Sequence, residues 1–337
     1  MSPLAVARAC ITGGAGFIGS NLADRLIAAG AEVVVVDDFR TGRHEFLASL
    51  RDHPRFSLVE GDVLDPGVLE QAFTGCDWVF HLQANADVRH GTEHPRLDLE
   101  QNTLSTSGVL EVMRATGVRQ ILFSSTGSVY GEPEVFPTPE DAPFPQQTSF
   151  YGASKLACEG LIEAYSTGFG MTGVVCRFVS ILGERYTHGH VVDFYRQLKR
   201  DPTHLGILGD GKQTKSYLYV VDCVDAMLAC VDRHAGESGC FVYNLGTNET
   251  ILVDESVRII TSHLGVAPEI EHSGGIRGWI GDSPLIHLDT SRIRSLGWSP
   301  RVTIAQAIGH TLDWLDDNEY AWRDQGTKYQ EQRGSSR

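Results

Sequence analysis

Three glycines near the start of the chain constrain the fold more than any other feature. Gly13, Gly16 and Gly19 are spaced Gly-x-x-Gly-x-x-Gly between a short apolar run, residues 7–12, and an amphipathic segment, residues 17–29. Glycines at this spacing allow a tight turn and a close approach of the backbone to a pyrophosphate, whose charge then faces the N-terminus of the following helix. The pattern predicts a strand, a dinucleotide-binding turn and a helix. A glycine turn without a ligand is the alternative.

Apolar runs and amphipathic segments alternate through the first half of the chain. The runs are apolar without interruption, which is typical of parallel strands covered by helices on both faces. Strands are predicted at residues 7–12, 32–36, 56–60, 78–82, 120–123 and 172–178, and helices at residues 17–29, 66–73, 97–116 and 150–169. The predicted fold class is therefore α/β, with a doubly wound parallel sheet.

The alternation breaks after about residue 180. In the second half, helices are predicted at residues 191–200, 223–232, 253–264 and 304–318, strands at residues 216–221 and 241–245, and an extended segment at residues 284–288. We expect a dinucleotide-binding domain at residues 1–180 and a smaller C-terminal α/β substrate domain formed mainly by residues 181–330. Segments around residues 216–235 are expected to return to the first domain, and residues 331–337 to form a flexible tail.

An acidic residue ends the second predicted strand. Asp37 lies 18 residues after the last glycine of the turn. A carboxylate there accepts hydrogen bonds from the adenosine ribose and repels a 2′-phosphate, so the sequence favours NAD over NADP. Arg40 and Arg43 follow closely and leave NADP open. Asp62-Val63, after the third strand, is predicted beside the adenine, with a helix N-cap as the competing interpretation.

A phenol and an ammonium group lie four residues apart in Tyr151-Gly-Ala-Ser-Lys155. A helix that begins here presents both groups on one face. The pKa of a free phenol is about 10, so tyrosine is a poor base at neutral pH, but a neighbouring cation lowers that pKa. Tyr151 is therefore predicted to exchange a proton with an alcohol while a hydride moves to or from the dinucleotide. A helix start with a surface lysine is the alternative.

Charge and cysteine usage exclude several classes of partner. The 337-residue chain has a formal charge of −15, which repels phosphate backbones, so we expect no nucleic-acid partner. Its seven cysteines form no C-x-x-C pair and no Cys/His cluster with zinc spacing, which predicts reduced thiols and no metal site. Residues 1–9 lack the apolar core of a signal peptide, and no apolar run is long enough to span a membrane. We therefore expect a cytoplasmic protein without a membrane partner.

Short motifs follow one another in a fixed order along nearly the whole chain. They lie at residues 12–19, 37, 61–63, 81–82, 124–126, 129–131, 151–155, 177–178, 209–211, 219–222, 244–246 and 296–300. In this order they resemble the extended short-chain dehydrogenases/reductases, and among them the nucleotide-sugar epimerase/dehydratase family of the UDP-glucose/UDP-glucuronate 4-epimerase type. The resemblance implies a Rossmann-type dinucleotide-binding domain, tightly bound NAD and a nucleotide-sugar substrate, with a UDP-linked sugar the leading expectation.

The resemblance also implies roles for individual residues. Tyr151 is implied as the catalytic acid/base, Lys155 as the cation that lowers its pKa and binds the nicotinamide ribose, and Thr126 as the hydroxyl that bonds the reacting sugar oxygen. The residues expected to bind the cofactor are Gly13, Gly16, Phe17, Ile18, Gly19, Asp37, Asp38, Asp62, Val63, Leu82, Gln83, Ala84, Asn102, Ser124, Tyr151 and Lys155. The residues expected to bind the substrate are Ser125, Thr126, Ser180, Arg185, Lys215 and Arg277. For Ser124 and Ser125, satisfying backbone groups at a strand end is the alternative.

The reaction implied is oxidation of the sugar at C4, formation of a transient 4-keto sugar, and return of the hydride to its other face. Dehydratases of this family usually carry an acidic pair after the threonine of this strand end, and related decarboxylases commonly keep one glutamate there. Here Gly127 and Ser128 follow Thr126, which favours a 4-epimerase. A dehydratase or decarboxylase on the same scaffold is one alternative. A non-catalytic dinucleotide-sensing protein is another, disfavoured because Tyr151 and Lys155 are both present.

Departures from the family pattern concern the nucleotide and the sugar. Lys215 stands where arginine is usual, Ser180 replaces a common asparagine, and Arg277 matches a late phosphate-binding cation. The guanidinium of Arg185 could bind the carboxylate of a uronate, with a solvated loop as the alternative. The resemblance also implies a homodimer that forms through the helices predicted at residues 97–116 and 150–169, although an apolar stripe on either helix could equally pack internally.

Overall fold

The structure is a computed structural model that describes residues 5–85, 88–144, 146–275 and 285–323, with the side chains of residues 89 and 90 excepted. Its strands are β1 (Arg8–Thr12), β2 (Glu32–Asp37), β3 (Phe56–Glu60), β4 (Trp78–His81), β5 (Gln120–Thr126), β6 (Thr172–Phe178), β7 (Ser180–Leu182), β8 (His204–Ile207), β9 (Thr214–Lys215), β10 (Tyr217–Tyr219), β11 (Gly239–Leu245), β12 (Ile251–Leu252) and β13 (Glu269–His272). Its α-helices are α1 (Phe17–Ala28), α2 (Pro66–Phe73), α3 (Val88–Glu93), α4 (Pro95–Asp98), α5 (Ser105–Thr116), α6 (Phe150–Phe169), α7 (His190–Arg200), α8 (Val220–His234), α9 (Val253–Leu264), α10 (Ser291–Arg294), α11 (Ile304–Asp317) and α12 (Tyr320–Arg323). Short 3₁₀ turns lie at His44–Leu47 and Gly127–Tyr130, and a π-helical turn at Leu99–Leu104 joins α4 to α5.

Seven strands form one parallel sheet in the order β11-β6-β5-β4-β1-β2-β3. The strand order reverses beside β1, whose neighbours are β2 on one side and β4 on the other. Thr12, at the end of β1, pairs with His81, at the end of β4. In open α/β sheets, ligands bind in the crevice at such a switch point, outside the carboxyl ends of the strands. The predicted doubly wound, Rossmann-type sheet is confirmed.

Helices cover both faces of this sheet. On one face, Leu22 and Leu26 of α1 and Met227 of α8 pack with the strands in one apolar cluster. On the other face, Leu110 of α5 and Ile162 of α6 belong to a second cluster. Coverage on both faces is the reason that the strands are apolar without interruption.

A third apolar cluster is formed by residues between 182 and 322. It joins Tyr195 of α7, Ile260 of α9, Leu312 of α11 and Trp322 of α12. Strand β11 and helix α8 come from the same half of the chain but pack with the seven-stranded sheet. The domain boundaries given above stay a prediction.

The helix predicted at residues 97–116 is interrupted by the π-helical turn. Two side-chain hydroxyl groups stabilise this wider turn. Ser105 Oγ donates to the carbonyl oxygen of Gln101 (2.7 Å), and Thr106 Oγ1 donates to that of Asn102 (2.7 Å). Side-chain donors thus bond carbonyl groups inside the irregular turn.

Two predicted strands also differ from the structure. The strand predicted at residues 216–221 ends at Tyr219, because Val220 already belongs to α8 and is fully buried against the sheet. A short apolar run fits a strand and a helix start equally well. Strand β5 continues to Thr126, three residues further than predicted, since Ser124 to Thr126 pair with residues 176–178 of β6.

Candidate active site

The glycine turn lies at the switch point of the sheet and leaves no room for side chains. Gly13 has φ +71°, and a Cβ atom there would lie 2.8 Å from the backbone of Gln83. A Cβ atom at Gly19 would lie 2.3 Å from the carbonyl oxygen of Gly13. Gly16 precedes α1 in an extended conformation and offers no side chain to cap its first N–H groups. The turn therefore forms a cradle of backbone N–H groups at a helix N-terminus, which suits a pyrophosphate.

Asp37 stabilises the glycine turn through hydrogen bonds. Its carboxylate is 8% exposed and accepts hydrogen bonds from the N–H groups of Ala15 and Phe39, both at 2.9 Å. Burial raises the pKa of Asp37, while these two hydrogen bonds oppose the rise. A carboxylate has about four acceptor sites, so lone pairs remain for the ribose that the sequence predicts here.

The two arginines that could bind the 2′-phosphate of NADP both contact groups of the protein itself. Arg40 bridges two predicted cofactor residues, Asp38 (2.9 Å) and Asp62 (2.6 Å). Arg43 donates to the carbonyl oxygen of Tyr320 (3.0 Å) and lies over its ring. These carboxylates offset the charge of Arg40, so Arg40 attracts a 2′-phosphate next to Asp37 less strongly and NAD is favoured over NADP.

A buried histidine joins the end of β1, just before the glycine turn, to the first turn of α5. His81 Nδ1 is 2.7 Å from Thr12 Oγ1, and His81 Nε2 is 3.0 Å from Thr106 Oγ1. Burial first, and the charge of Lys155 second, lower the pKa of His81 to about 3, so the ring is neutral. Two of the residues that follow it lie beside the turn: the N–H of Leu82 donates to the carbonyl oxygen of Thr12 (3.1 Å), and the backbone of Gln83 is next to Gly13.

Asn102 lies in the π-helical turn and is almost fully buried. Its Oδ1 accepts from the backbone N–H of Asn85 (2.9 Å), and its Nδ2 donates to Ser154 Oγ (2.8 Å). Ser154 Oγ in turn donates to the carbonyl oxygen of Tyr151 (2.8 Å). The structure thus gives Asn102 a place between the predicted cofactor site and α6, and its contact with the cofactor stays a prediction.

Helix α6 brings the predicted catalytic residues together. Ser149 caps the helix by accepting from the N–H of Gly152 (3.0 Å), which fixes its first turn. Lys155 is 1% exposed, and its Nζ donates to the carbonyl oxygen of Ser124 (2.8 Å). The hydroxyl of Thr126 lies close enough to that of Tyr151 to lower the pKa of the phenol. Tyr151, Lys155 and Thr126 therefore form one cluster at the end of β5, as the sequence predicts.

The protonation of this cluster differs from the prediction. Burial raises the pKa of Tyr151 and the charge of Asp98 raises it further, while the nearby hydroxyl of Thr126 opposes the rise. Burial lowers the pKa of Lys155 to about 8. The expected lowering of the Tyr151 pKa by Lys155 is absent here, because Lys155 Nζ is 6.0 Å from the centre of the phenol ring and bonds to Ser124 instead.

The predicted substrate residues fall into two groups. Ser180 is exposed at the start of β7, where it pairs with Tyr217, and Lys215 lies close enough to lower the pKa of His190. His190 Nδ1 is 2.6 Å from the hydroxyl of Tyr217. The structure thus places Lys215 near His190, whereas Ser180 is connected to this histidine only through its strand partner Tyr217. Arg277 lies outside the described residues.

Two other predicted substrate residues have partners within the protein. Arg185 has φ +72°, and its guanidinium donates to Asp24 of α1 at 2.6 Å. The hydroxyl of Ser125 donates to Glu159, and Ser125 is 2% exposed. Direct contact of either side chain with a substrate stays a prediction, and these partners do not favour it.

Comparison with known proteins places the chain in a family. Residues 9–246 match the model of the NAD dependent epimerase/dehydratase family. The chain belongs to this family. A UDP-glucose 4-epimerase of Mycolicibacterium smegmatis is 33% identical over 317 residues, which cover 91% of this chain and 98% of the relative. UDP-glucuronic acid decarboxylase 1 of Arabidopsis thaliana is 31% identical over 313 residues, which cover 89% of this chain and 68% of the relative.

A solved relative agrees in fold and carries the cofactor. The crystal structure of the Thermus thermophilus UDP-glucose 4-epimerase complex with NAD is 31% identical to this chain, with a TM-score of 0.79 and coverage of 92% of this chain and 99% of that one. This family member is therefore an NAD-dependent enzyme, and the backbone cradle at Gly13 to Gly19 fits that cofactor. Among the described residues, no helix is long and apolar enough to cross a membrane. The same residues contain no cluster of three or more His, Cys, Asp or Glu that could hold a metal ion.

Sequence reasoning missed a buried network behind this site. Glu159 and Arg177 form an ion pair at 2.7 Å, and Arg177 also donates to the hydroxyl of Tyr130 (2.6 Å). The Tyr130 hydroxyl donates to Asn244 Oδ1 (2.9 Å). The one available signal was that Glu159 follows Lys155 by four residues, which places both on one face of a helix.

Proposed function

We propose that this enzyme is a nucleotide-sugar 4-epimerase that acts on a UDP-hexose or UDP-hexuronate through a transient 4-keto sugar. NAD, when bound, supplies the acceptor for the C4 hydride and returns it. The hydroxyl of Tyr151 takes the proton of the C4 hydroxyl group and later gives it back. Thr126, whose hydroxyl lies near that of Tyr151, bonds the same sugar oxygen. A positive charge beside the phenol, such as that of an oxidised nicotinamide, would offset the burial that raises the Tyr151 pKa.

The residues of the turn after β5 are the main support for a 4-epimerase rather than a dehydratase. Elimination of water across C5–C6 needs acid/base groups beside the sugar, but Thr126 is followed by Gly127 and Ser128. A Cβ atom at Gly127 would lie 3.0 Å from Ile286 Cγ2 and 3.4 Å from the carbonyl oxygen of Phe178. A carboxylate side chain at this position would therefore have to displace its neighbours. The turn offers hydroxyl groups only, which suits reversible oxidation and reduction at C4.

The relatives support a UDP-linked sugar, since the Mycolicibacterium protein is named a UDP-glucose 4-epimerase. Within that class, we favour UDP-glucose and UDP-galactose over the uronates. Arg185, the cation proposed for a uronate carboxylate, forms its ion pair with Asp24 instead. Lys215 remains the described cation proposed for the diphosphate, where it would act as a point charge.

We also propose a cytoplasmic homodimer. Four large apolar side chains on or beside α6 and the π-helical turn are about half exposed. A second copy of the chain that packs against this face would cover them. They are Leu99, Leu104, Phe150 and Phe169.

Product analysis tests the proposal. The purified protein is incubated without added NAD with UDP-glucose, UDP-glucuronate and their N-acetyl counterparts, and the products are resolved by chromatography and mass. We expect a new peak of unchanged mass from UDP-glucose. Loss of water or carbon dioxide would establish the dehydratase or the decarboxylase instead, and no conversion even with NAD supplied would favour a non-catalytic protein.

A matched pair of variants assigns the activity to the site. Tyr151→Phe removes the hydroxyl of the acid/base and should lower kcat by about 10² to 10⁴-fold. Tyr165→Phe removes a hydroxyl from the same helix, where it bonds Glu111 near the surface, and should leave kcat unchanged.

A further inference from the structure

One face of α6 contacts three successive residues of β5. The hydroxyl of Tyr151 lies near that of Thr126, Lys155 donates to the carbonyl oxygen of Ser124, and Glu159 accepts from the hydroxyl of Ser125. The three residues of α6 are spaced four apart, so they lie on successive turns of the same face. Two of them belong to the proposed catalytic cluster, and Glu159 is the third member of the same row.

Glu159 is itself held in place by a buried arginine. The residues Glu159 and Arg177 are 7% and 3% exposed. Arg177 NH2 donates to Glu159 Oε2 (2.7 Å), and Arg177 Nε donates to Glu159 Oε1 (3.1 Å), as in a forked ion pair. Arg177 NH1 is bonded to the Tyr130 hydroxyl (2.6 Å) and to the Glu140 carbonyl (2.9 Å). The carboxylate of Glu159 therefore has one orientation, in which Oε1 meets Ser125.

We propose that Glu159 is a positioning residue for the epimerase reaction: by holding Ser125, it fixes the end of β5 against α6 so that Lys155 and Thr126 keep their places beside Tyr151. This inference rests on the proposed function. Glu159 is separated from the reacting atoms by Ser125 and acts through the backbone of β5. A displacement of about 1 Å at a reacting centre can lower a rate by about 100-fold, so the position of this strand end matters for kcat.

Glu159 also contributes charge to the site. The ionisable groups that act on Lys155 are Asp98 of α4 and Cys158 and Glu159 of α6, while the ring of His81 on β4 is neutral. Burial lowers the pKa of Lys155 to about 8, and the negative charge of Glu159 opposes that fall. Loss of the Glu159 charge would remove that opposition, which favours the loss of a proton from Lys155 at neutral pH.

Two variants separate these effects. Glu159→Gln removes the charge and keeps an amide oxygen that can accept from Ser125, while Ser125→Ala removes the hydroxyl and keeps the charge. Ser166→Ala is the matched control, because Ser166 is buried on the same helix and its hydroxyl has no hydrogen-bond partner among the described residues. For each protein we would measure kcat and KM against pH, the NAD content and the melting temperature.

The pKa of Lys155 can be measured without any turnover. The chain contains five lysines, Lys155, Lys199, Lys212, Lys215 and Lys328. Protein labelled with ¹³C at lysine Cε therefore gives a spectrum simple enough to titrate, and Lys155→Met assigns the signal of interest. This readout holds even if the wild-type protein converts none of the sugars, so failure of the proposed function and failure of this inference are distinguishable.

The expected results are specific. Glu159→Gln should lower the pKa of Lys155 by about one pH unit, shift the fall of kcat at high pH to lower pH, and lower kcat by about 10 to 100-fold with KM nearly unchanged. Ser125→Ala should lower kcat by about 10-fold without moving the Lys155 pKa. The double variant should resemble Glu159→Gln alone, because Ser125 acts through the same contact.

Three results would overturn the inference. The first is a Lys155 pKa that stays the same in Glu159→Gln. The second is a melting temperature that falls in Glu159→Gln and Ser125→Ala while kcat stays at the wild-type value, which would make the contact structural only. The third is full additivity of the two substitutions. If Glu159→Gln does not fold, Ser125→Ala decides alone, since an unchanged kcat in that soluble variant refutes the positioning role.

Discussion

Replacing Gly19 by alanine tests the glycine cradle at its tightest point. A Cβ atom there would lie 2.3 Å from the Gly13 carbonyl oxygen and 2.8 Å from Gly14 Cα. Ordinary contacts begin near 3.4 Å, so about 1 Å of separation is missing. Both neighbours are backbone atoms and cannot rotate away, so α1 and the turn must move apart. Overpacking of this kind costs about 1 to 3 kcal/mol.

The same displacement moves the N–H groups of the turn away from the pyrophosphate. If that free energy is lost from cofactor binding, the Kd for NAD rises by about 10 to 100-fold. We expect Gly19→Ala to purify with less NAD than the wild type and, after removal of NAD, to lose about 1 to 3 kcal/mol of unfolding free energy in urea. Isothermal titration with NAD measures the affinity directly.

Gly309→Ala is the matched control for this prediction. Gly309 lies inside α11, and a Cβ atom added there would meet nothing within 4 Å. Alanine in a helix interior is more favourable than glycine by about 0.5 to 1 kcal/mol, so this variant should be slightly stabilised with unchanged NAD binding. The reasoning is refuted if Gly19→Ala retains the wild-type NAD content and unfolding free energy.

Three further predictions concern charge. Lys155→Met removes the ammonium bonded to the Ser124 carbonyl and should lower kcat by about 100-fold or more, with the fall in rate near pH 8 abolished; a normal rate profile would contradict the assigned role. Burial lowers the pKa of His81 to about 3 in the folded protein, whereas the same ring in the unfolded chain titrates near pH 6.5. The unfolded state therefore binds more protons, and the free energy of unfolding should fall as the pH drops below about 6.5. Urea unfolding at pH 7 and pH 5 should show a smaller difference in His81→Gln than in the wild type, and an equal difference would exclude His81 as a cause. Burial alone would raise the pKa of Asp316, but hydrogen bonds from Lys199, Tyr195 and His263 lower it to about 2; its stabilisation should be complete above about pH 4 and be lost toward pH 2. Because Asp316 is partly exposed, the loss in Asp316→Asn at pH 6 should be small, about 1 kcal/mol or less, and a variant as stable at pH 6 as the wild type would show that the cluster contributes nothing.

The sheet could be predicted from sequence because its strands are buried on both faces. Continuous apolar runs bounded by glycine, aspartate or helix signals located β1 to β6. The bounds of β3, β6, α2, α6 and α9 are those predicted. The small strands β7, β8, β9, β12 and β13 were missed. They have two to four residues and carry no period-2 pattern long enough to recognise.

The catalytic cluster could be predicted in part, because Tyr151 and Lys155 are near in sequence and on one helix face. Contacts between distant residues could not. Ser125 and Glu159 are 34 residues apart, and Arg185 and Asp24 are 161 apart. Nothing local in the sequence indicates that such side chains meet. The direction of the Tyr151 pKa shift was also wrong, since burial raises that pKa and the ammonium of Lys155 bonds to the carbonyl oxygen of Ser124 instead.

The central claim is that a hydride leaves C4 of the sugar and returns to the same carbon on the other face. UDP-glucose labelled with deuterium at C4 tests it directly in a protein that receives no added NAD. The account predicts UDP-galactose that keeps its deuterium at C4, as seen by mass and by NMR. Deuterium found at C6 of a dehydrated product, or lost from the product, would contradict it.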